Sequence, residues 1–369
     1  MIVALVRPAP PARPPRSRPP VKLSLLEVNP LHVDGWNAGV ARLPGASVFH
    51  REEWARLLQE TYGYTPVYFI TGDPASPSSV LPTMHIRSWL TGRRGVSLPF
   101  TDECAPLIGP EVEPAAFLEA VLQAGRQRGW KHLELRGGQE QWSQLRGHQA
   151  STTYWNHRLA LDRPEEELLT GCDKAHRGAI KKAQSNGLEI ESSCRPEAMR
   201  DFYRLFCLTR RRHGVPPPPW AFFARLQSRL LAADLGTIIL ARHQGQAIAG
   251  AVFLYSGTTV HYKYGASDDT QQHLRGNNLV MWTAIRHHAR TGFSTLDFGR
   301  TSLYNAGLRR FKAGWGTAEH ALSYTKVALP GPSYLEAPDR SAGWYTPVFQ
   351  RLPLPVAGLL GGALYRHIG

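Results

Sequence analysis

About four fifths of the way along the chain, Leu296-Asp297-Phe298-Gly299-Arg300 places a carboxylate inside a short apolar run and follows it with a glycine and a guanidinium. A carboxylate where a strand gives way to a turn can serve as a base or orient a substrate amine, and equally can cap that turn. Both readings stand for Asp297. Arg210, Arg211, Arg212 and His213 close an amphipathic segment, where a helix dipole already favours cations. As a cluster, Arg211, Arg212 and His213 also suit a nucleotide-sugar or lipid diphosphate, because the guanidinium fork matches phosphate oxygens. His261-Tyr262-Lys263-Tyr264 lies in a strand-like run, so alternation sends either His261 with Lys263 or Tyr262 with Tyr264 toward a cleft, and the other pair away. His287-His288 falls inside a helical pattern, where neighbours point about 100° apart, and reads as surface histidines rather than a metal pair.

Elements able to position these residues follow from periodicity. HREEWARLLQETYG puts Trp54, Leu57 and Leu58 at helical spacing and stops at Gly63; PVYFITGD, VLPTMHIRSWL, GVSLPF and HLELR read as strands around a helix carrying Phe117, Val121 and Leu122. A second module opens with HRLALD and the basic helix KAHRGAIKKAQSNG, ending at Gly187. The helix PEAMRDFYRLFCLTRRRHG follows, with Phe202, Leu205 and Phe206 on one face. GTIILAR, QAIAGAVFLYS and TTVHYKYGAS form an antiparallel meander turning at Gly245 and Gly257. A helix with Leu279, Trp282, Ile285 and Ala289 on one stripe comes next, then the strand STLDFGR. The fold class expected is α/β with mixed α+β sheets. It divides into a Pro/Arg-rich disordered tail (1–20), an N-terminal domain (21–157), a C-terminal domain (158–328) and a Pro-rich extension (329–369).

Composition narrows the function. The 369 residues carry 43 Lys+Arg against 29 Asp+Glu, a formal charge of +14, which attracts polyanions such as tRNA, nucleotide phosphates and anionic lipid. Only eight of those cations are lysines, a bias that GC-rich coding also produces. Four cysteines without a C-x-x-C pair read as buried or incidental thiols in a reducing compartment. No signal peptide is indicated, and the late apolar stretch Val356 to Tyr365 is half the length a bilayer requires, so a cytoplasmic protein is expected. FQRLPLPVAGLLGGALYRHIG either packs as a terminal helix or lies in an anionic membrane interface at the inner face. The chain holds no G-x-S-x-G, Walker, H-E-x-x-H or G-x-G-x-x-G motif. That removes hydrolase, NTPase, metalloprotease and dinucleotide-binding readings and leaves no metal site. No helix-turn-helix or zinc-finger pattern supports sequence-specific DNA binding.

The block from Gly276 to Tyr324, with GNNLVMW, LDFGR and GLRRFKAGWG, preceded by RGAIKKAQSNGLEIE and FYRLFCLTRRRHGVPP, resembles the FemAB group of the GNAT superfamily. The best-known members of that group are aminoacyltransferases acting on peptidoglycan precursors. These motifs cover roughly 174–327, and a weaker likeness extends over the first module through SLPFTDECAPLIGP. The resemblance implies tandem GNAT-like domains packed side by side. It also implies transfer of an acetyl, acyl or aminoacyl group from acyl-CoA or aminoacyl-tRNA to an amine of an envelope glycan, lipid-linked sugar or peptidoglycan precursor. No tightly bound cofactor is implied. Phe311 and Lys312 correspond to the family's Phe-Lys pair, implying a site wall and a cation for the oxyanion that forms when an amine attacks an acyl ester. Asn277, Asn278, Lys263, Tyr264 and Arg300 are the further candidates for holding substrate. The C-terminal tail is similar to those of FemAB-like proteins associated with exopolysaccharide and exosortase clusters. The chain departs from GNAT acetyltransferases at Gln272–Asn277, where a Gly-rich loop cradles the coenzyme A pyrophosphate. Only Gly276 is present, with Arg275 as a substitute phosphate ligand. That loss also allows a catalytically silent GNAT fold acting as a basic scaffold in an envelope assembly.

Overall fold

The computed structural model describes residues 23–142, 148–329, 331, 333–336 and 346–368. The Pro/Arg-rich tail expected at 1–20 lies outside them. One mixed sheet of twelve strands runs through both modules: β1 (Thr65–Pro66), β2 (Met84–Ser88), β3 (Gly92–Ser97), β4 (His132–Arg136), β5 (Thr152–Ala160), β6 (Glu189–Ser193), β7 (Gly236–His243), β8 (Gln246–Ser256), β9 (Thr259–Ser267), β10 (Thr295–Ser302), β11 (Ala318–Ala328) and β12 (Ser333–Tyr334). Their spatial order is β1-β2-β3-β4-β11-β5-β10-β9-β8-β7-β6, with β12 beside β11. Leu26–Val28, Tyr68–Asp73 and Ser76–Leu81 make a separate three-stranded sheet.

Two pairs, β3 with β4 and β9 with β10, are parallel, and the remaining neighbours are antiparallel. The join between the modules is an exchange. β11, last long strand of the second module, inserts between β4 and β5 of the first, and β5 pairs on its other side with β10. The expected break at 157/158 therefore falls inside β5, because the strand hydrogen-bonds to the second module along its whole length.

Both sides of the sheet are covered by helices. The labelled ones are α1 (Glu52–Tyr62), α2 (Pro114–Gln127), α3 (Lys174–Ser185), α4 (Pro196–Arg212), α5 (Trp220–Arg229), α6 (Gly276–Arg290), α7 (Ala306–Ala313), α8 (Thr346–Arg351) and α9 (Leu354–Ile368). α1 ends on Gly63 at φ +72, and the meander β7-β8-β9 turns at Gly245 and Gly257, both with positive φ, as the sequence predicts. The aromatic faces of α1, α4 and α5 share one core through Trp54, Phe202, Phe222 and Phe223, while α6 packs Val280, Trp282 and Ile285 against the opposite side of β7-β10. His288 corrects the surface reading: it is fully buried and donates from Nδ1 to Ala284 O (2.7 Å), whereas His287 is exposed. All four cysteines are free thiols, three of them buried. Among the described residues no helix is long and apolar enough to cross a membrane.

Candidate active site

Alternate residues of a strand share a face, and across the central sheet that rule collects polar groups. Thr259 and His261 of β9, Thr295 and Asp297 of β10, Asn156 and Arg158 of β5, and His320 of β11 floor a cavity of about 620 Å³. First-module loops wall it, with Ser47 and His50 on one side, Glu103 to Ala105 above and Gly138 to Gln141 opposite. Their strand neighbours Leu159, Val260 and Leu296 point the other way into the core under α6.

Asp297 anchors this floor. Only 4% exposed, its Oδ2 accepts from Asn156 Nδ2 (3.1 Å) and Arg158 Nε (3.2 Å), and its Oδ1 accepts from the Gly299 N–H (2.7 Å). Arg158 also reaches Glu103 Oε2 through Nη2 at 2.7 Å, clamping two carboxylates between sheet and loop. Burial pushes the Glu103 carboxyl above its ordinary range; Arg158 opposes this and Asp297 adds to it. His261 stands beside Asp297 in the parallel register. Its imidazole is pushed down by burial, with Asp297 and Asp102 pulling the other way, and its Nε2 is buried with no hydrogen-bond partner. His50 is committed instead: Nδ1 accepts from the Ser47 N–H (3.1 Å), Nε2 donates to Ala105 O (2.9 Å), and burial lowers its pKa to about 4. The cleft thus offers two carboxylates, a bridging guanidinium and one neutral imidazole with a nitrogen to spare.

Lys312 sits off this cavity. It is 2% exposed, and its Nζ donates to the carbonyls of Gly299 (2.7 Å) and Arg300 (3.0 Å). Those two residues form an irregularity in β10, where the register with β5 skips between Asp297 and Arg300. Gly299 has φ +67, and a Cβ there would meet Asp102 Oδ2 at 2.8 Å, so glycine is required. Burial lowers the Lys312 pKa to about 8, against the pull of Asp102 and Asp297. Lys312 therefore props the kink whose N–H holds Asp297. Phe311 packs with His176 and Trp315, ring centroids 5.4 and 6.1 Å away, at the edge of the core under α6.

The expected alternation in β9 breaks at a bulge. Register against β8 slips at Val252/Phe253, leaving Lys263 as the extra residue, so His261, Lys263 and Tyr264 lie toward the first module and only Tyr262 faces the α6 side. Lys263 Nζ pairs with Asp102 (3.1 Å), while Tyr264 packs edge-on and tilted among Phe206, Phe222 and Phe223 as a core aromatic rather than in the cleft. Arg300 lies over the rings of Tyr154 (4.7 Å) and Tyr324 (5.3 Å) and lines a second cavity of about 190 Å³ with Arg136, Lys326 and Glu134. Arg211, Arg212 and His213 are not brought to either cavity. They end α4 against α8, where Gln350 Nε2 donates to Arg212 O (3.2 Å), and neighbouring Arg210 is spent on Pro216 O and the Tyr365 hydroxyl. Arg275, Gly276, Asn277 and Asn278 also line neither. Arg275 is an exposed left-handed cap (φ +63), and Gly276 is buried, its would-be Cβ 3.0 Å from Ala249 Cβ.

Sequence reasoning missed Asn156, Arg158 and Glu103. The alternation Asn156-x-Arg158 within a strand was the available signal; Glu103 had none, because its place depends on a loop folding over a distant strand.

Residues 172–313 match the family model described as acetyltransferase (GNAT) domain. The Lipid II:glycine glycyltransferase of Staphylococcus aureus is 29% identical over 286 aligned residues, covering 57% of this chain and 65% of that one. The chain spans less than two thirds of the length of the curated glycyltransferases it matches. Among solved structures, FemX superposes with a TM-score of 0.64 at 13% identity, covering 81% of this chain and 96% of that one. A tandem GNAT protein from the clavulanic acid biosynthesis pathway superposes with a TM-score of 0.53 at 10% identity, covering 85% and 100%. At such identities the likeness carries the fold, two GNAT units in tandem.

Proposed function

We propose that this chain, a FemAB-like member of the GNAT acyltransferase superfamily, transfers an aminoacyl group to an amine of a peptidoglycan or related envelope precursor, and that the cleft around His261 and Asp297 is where the amine is received. Its similarity to glycyltransferases named for Lipid II supports the substrate class.

The observation that carries the site is the buried, unpartnered Nε2 of His261 in the floor of the polar cavity, beside the thrice hydrogen-bonded Asp297. An acceptor amine enters as an ammonium and must lose a proton before it can attack. Asp297 and Glu103 supply negative charge to draw it in, and the neutral imidazole of His261 takes the proton. Attack on the acyl carbonyl builds an oxyanion, toward which Arg158, with N–H groups left beyond its two carboxylate contacts, offers positive charge. Collapse then expels the donor's alcohol or thiol, which takes the second proton the nitrogen sheds on becoming an amide, while His261 returns the first to solvent. No covalent enzyme intermediate is needed, in keeping with the buried state of Cys104, the thiol nearest the cleft, whose pKa burial pushes far up. Lys312 acts at one remove, by fixing the kink that orients Asp297.

The test is transfer by purified protein from glycyl-tRNA and from acyl-CoAs to a muropeptide acceptor, comparing wild type with His261→Gln. Loss of transfer with retained fold supports the reading, and the donor that works identifies the co-substrate. Undiminished transfer in the variant overturns the role of His261, and silence from every donor favours the scaffold reading.

A further inference from the structure

The sequence left two fates open for the C-terminal segment, packing on a domain or lying in a membrane interface; α9 packs on one side and leaves an apolar side uncovered. Ala357, Gly361 and Tyr365, spaced four apart, form its buried stripe. Tyr64 donates to Tyr365 O (3.0 Å), and Gly361 lies so close to Pro217 O that a Cβ would stand 2.0 Å from it. The opposite stripe is also apolar and faces out: Leu359 is 77% exposed, with Val356, Leu360 and Leu364 beside it. A helix apolar all round but covered on one side only is a poor fit to water.

A second element presents the same chemistry at the end of this helix. The turn between β2 and β3 carries Trp89, 85% exposed, and Leu90, 56% exposed. It is tied to α9 by Ser88 Oγ against His367 Nδ1 (3.0 Å), by Arg94 donating to His367 O (2.8 Å), and by the Trp89 ring 5.5 Å from that of His367. Four exposed cations accompany the two elements, Arg87 and Arg93 flanking the turn and Arg351 and Arg366 at the ends of the C-terminal segment. None of the four forms an ion pair with a described carboxylate, and residues 346–368 contain no Asp or Glu at all. Large apolar side chains and an indole at the tips, arginines around them and no acidic residue in the segment complement an anionic bilayer surface. There the apolar groups enter the headgroup boundary and the guanidinium groups meet lipid phosphates.

We infer that α9 and the β2–β3 turn form a docking face that seats the protein peripherally on an anionic lipid bilayer. The inference is independent of the acyl-transfer reading. The experiment is co-sedimentation of the full chain with phosphatidylcholine vesicles, with and without phosphatidylglycerol, at low and high salt. Wild type should bind the phosphatidylglycerol vesicles and be released by salt. Trp89→Glu and, separately, Leu359→Glu/Leu360→Glu should each lower partition by about tenfold or more, since one large apolar side chain withdrawn from water is worth at least that factor. Trp89 lies on a surface turn, so its variant tests the face even where a change in α9 disturbs packing. Failure of wild type to bind either vesicle, or equal binding by folded variants, overturns the inference. So does a concentration-dependent dimer that the Leu359→Glu/Leu360→Glu variant dissolves without any vesicle binding, which would assign the face to a second copy.

Discussion

Lys312→Met separates two jobs for one ammonium, and its signature is in the pH dependence of stability. The Nζ is buried against the Gly299 and Arg300 carbonyls, and burial takes its pKa from 10.5 to about 8. At about 1.36 kcal/mol per pH unit, the charged form is penalised in the folded state by roughly 3 kcal/mol. Below pH 8 both folded and unfolded chains carry the proton and the penalty is present in full. Between 8 and 10.5 the unfolded chain binds more protons than the folded one, so stability rises with pH; above 10.5 both are neutral and the penalty is gone. Methionine fills similar space and has no such dependence, but it leaves two carbonyls without a charged donor, each bond being worth about 1.5–3 kcal/mol. At pH 7 two such bonds, together about 3–6 kcal/mol, stand against a penalty of roughly 3, so Lys312→Met should cost between nothing and about 3 kcal/mol. By pH 10 wild type should have gained about 2.5 kcal/mol on the variant. Urea unfolding of both proteins at a series of pH values from 7 to 10 reads this directly, because every other titrating group cancels in the difference. A difference that stays flat refutes the reasoning, since an ammonium open to the cleft and to solvent would titrate like any surface lysine.

The same geometry yields further expectations. Because burial lowers the His261 pKa, the acid limb of kcat/KM should lie below pH 6.5 in wild type, and His261→Gln should lose that limb together with about 10²–10⁴ in rate; an unchanged profile assigns the proton to another group. Gly299→Ala forces a side chain into a left-handed backbone and against Asp102, and should cost at least about 1–2 kcal/mol in urea unfolding. Arg158→Met removes the cation between Glu103 and Asp297, and, with a side chain 45% exposed, should cost only about 1–2 kcal/mol at pH 7. In that variant the Glu103 carboxyl rises further, so part of the loss should return as pH falls and the group is neutralised; comparison of urea midpoints at pH 7 and pH 5 checks the sign.

Much of the fold was legible because its signals are local. Helix α1 with Trp54, Leu57 and Leu58 inward, the meander β7-β8-β9 turning on Gly245 and Gly257, and the stripe of α6 all rest on spacing within a dozen residues, and all stand in the structure. What spacing does not encode is which strands become neighbours. HRLALD reads naturally as the opening strand of a second module, yet β5 begins at Thr152 and is sandwiched between β10 and β11. That arrangement depends on β11 crossing back from 158 residues further along the chain, an edge-pairing choice that no window of sequence contains.

The site was half legible for the same reason. Asp297 was recognisable because a carboxylate inside an apolar strand needs partners, and it has three. Lys312 was recognisable as a residue with a purpose, being a lysine in a chain that prefers arginine. Its purpose could not be read, because whether its ammonium reaches a cleft or a carbonyl depends on the Gly299 kink beneath it. The β9 bulge at Lys263 had the same effect on its neighbours: one extra residue reverses the face of all that follow, so His261 and Tyr264 end on one side where strict alternation parts them. The strand exchange then decides what His261 meets. By carrying Arg158 alongside Asp297 and drawing the Glu103 loop over both, it sets a first-module loop as roof above a floor to which strands of both modules contribute. Neither GNAT unit alone contains that cleft, which is why a motif search confined to 174–327 finds the carboxylate and misses the groups that make it useful.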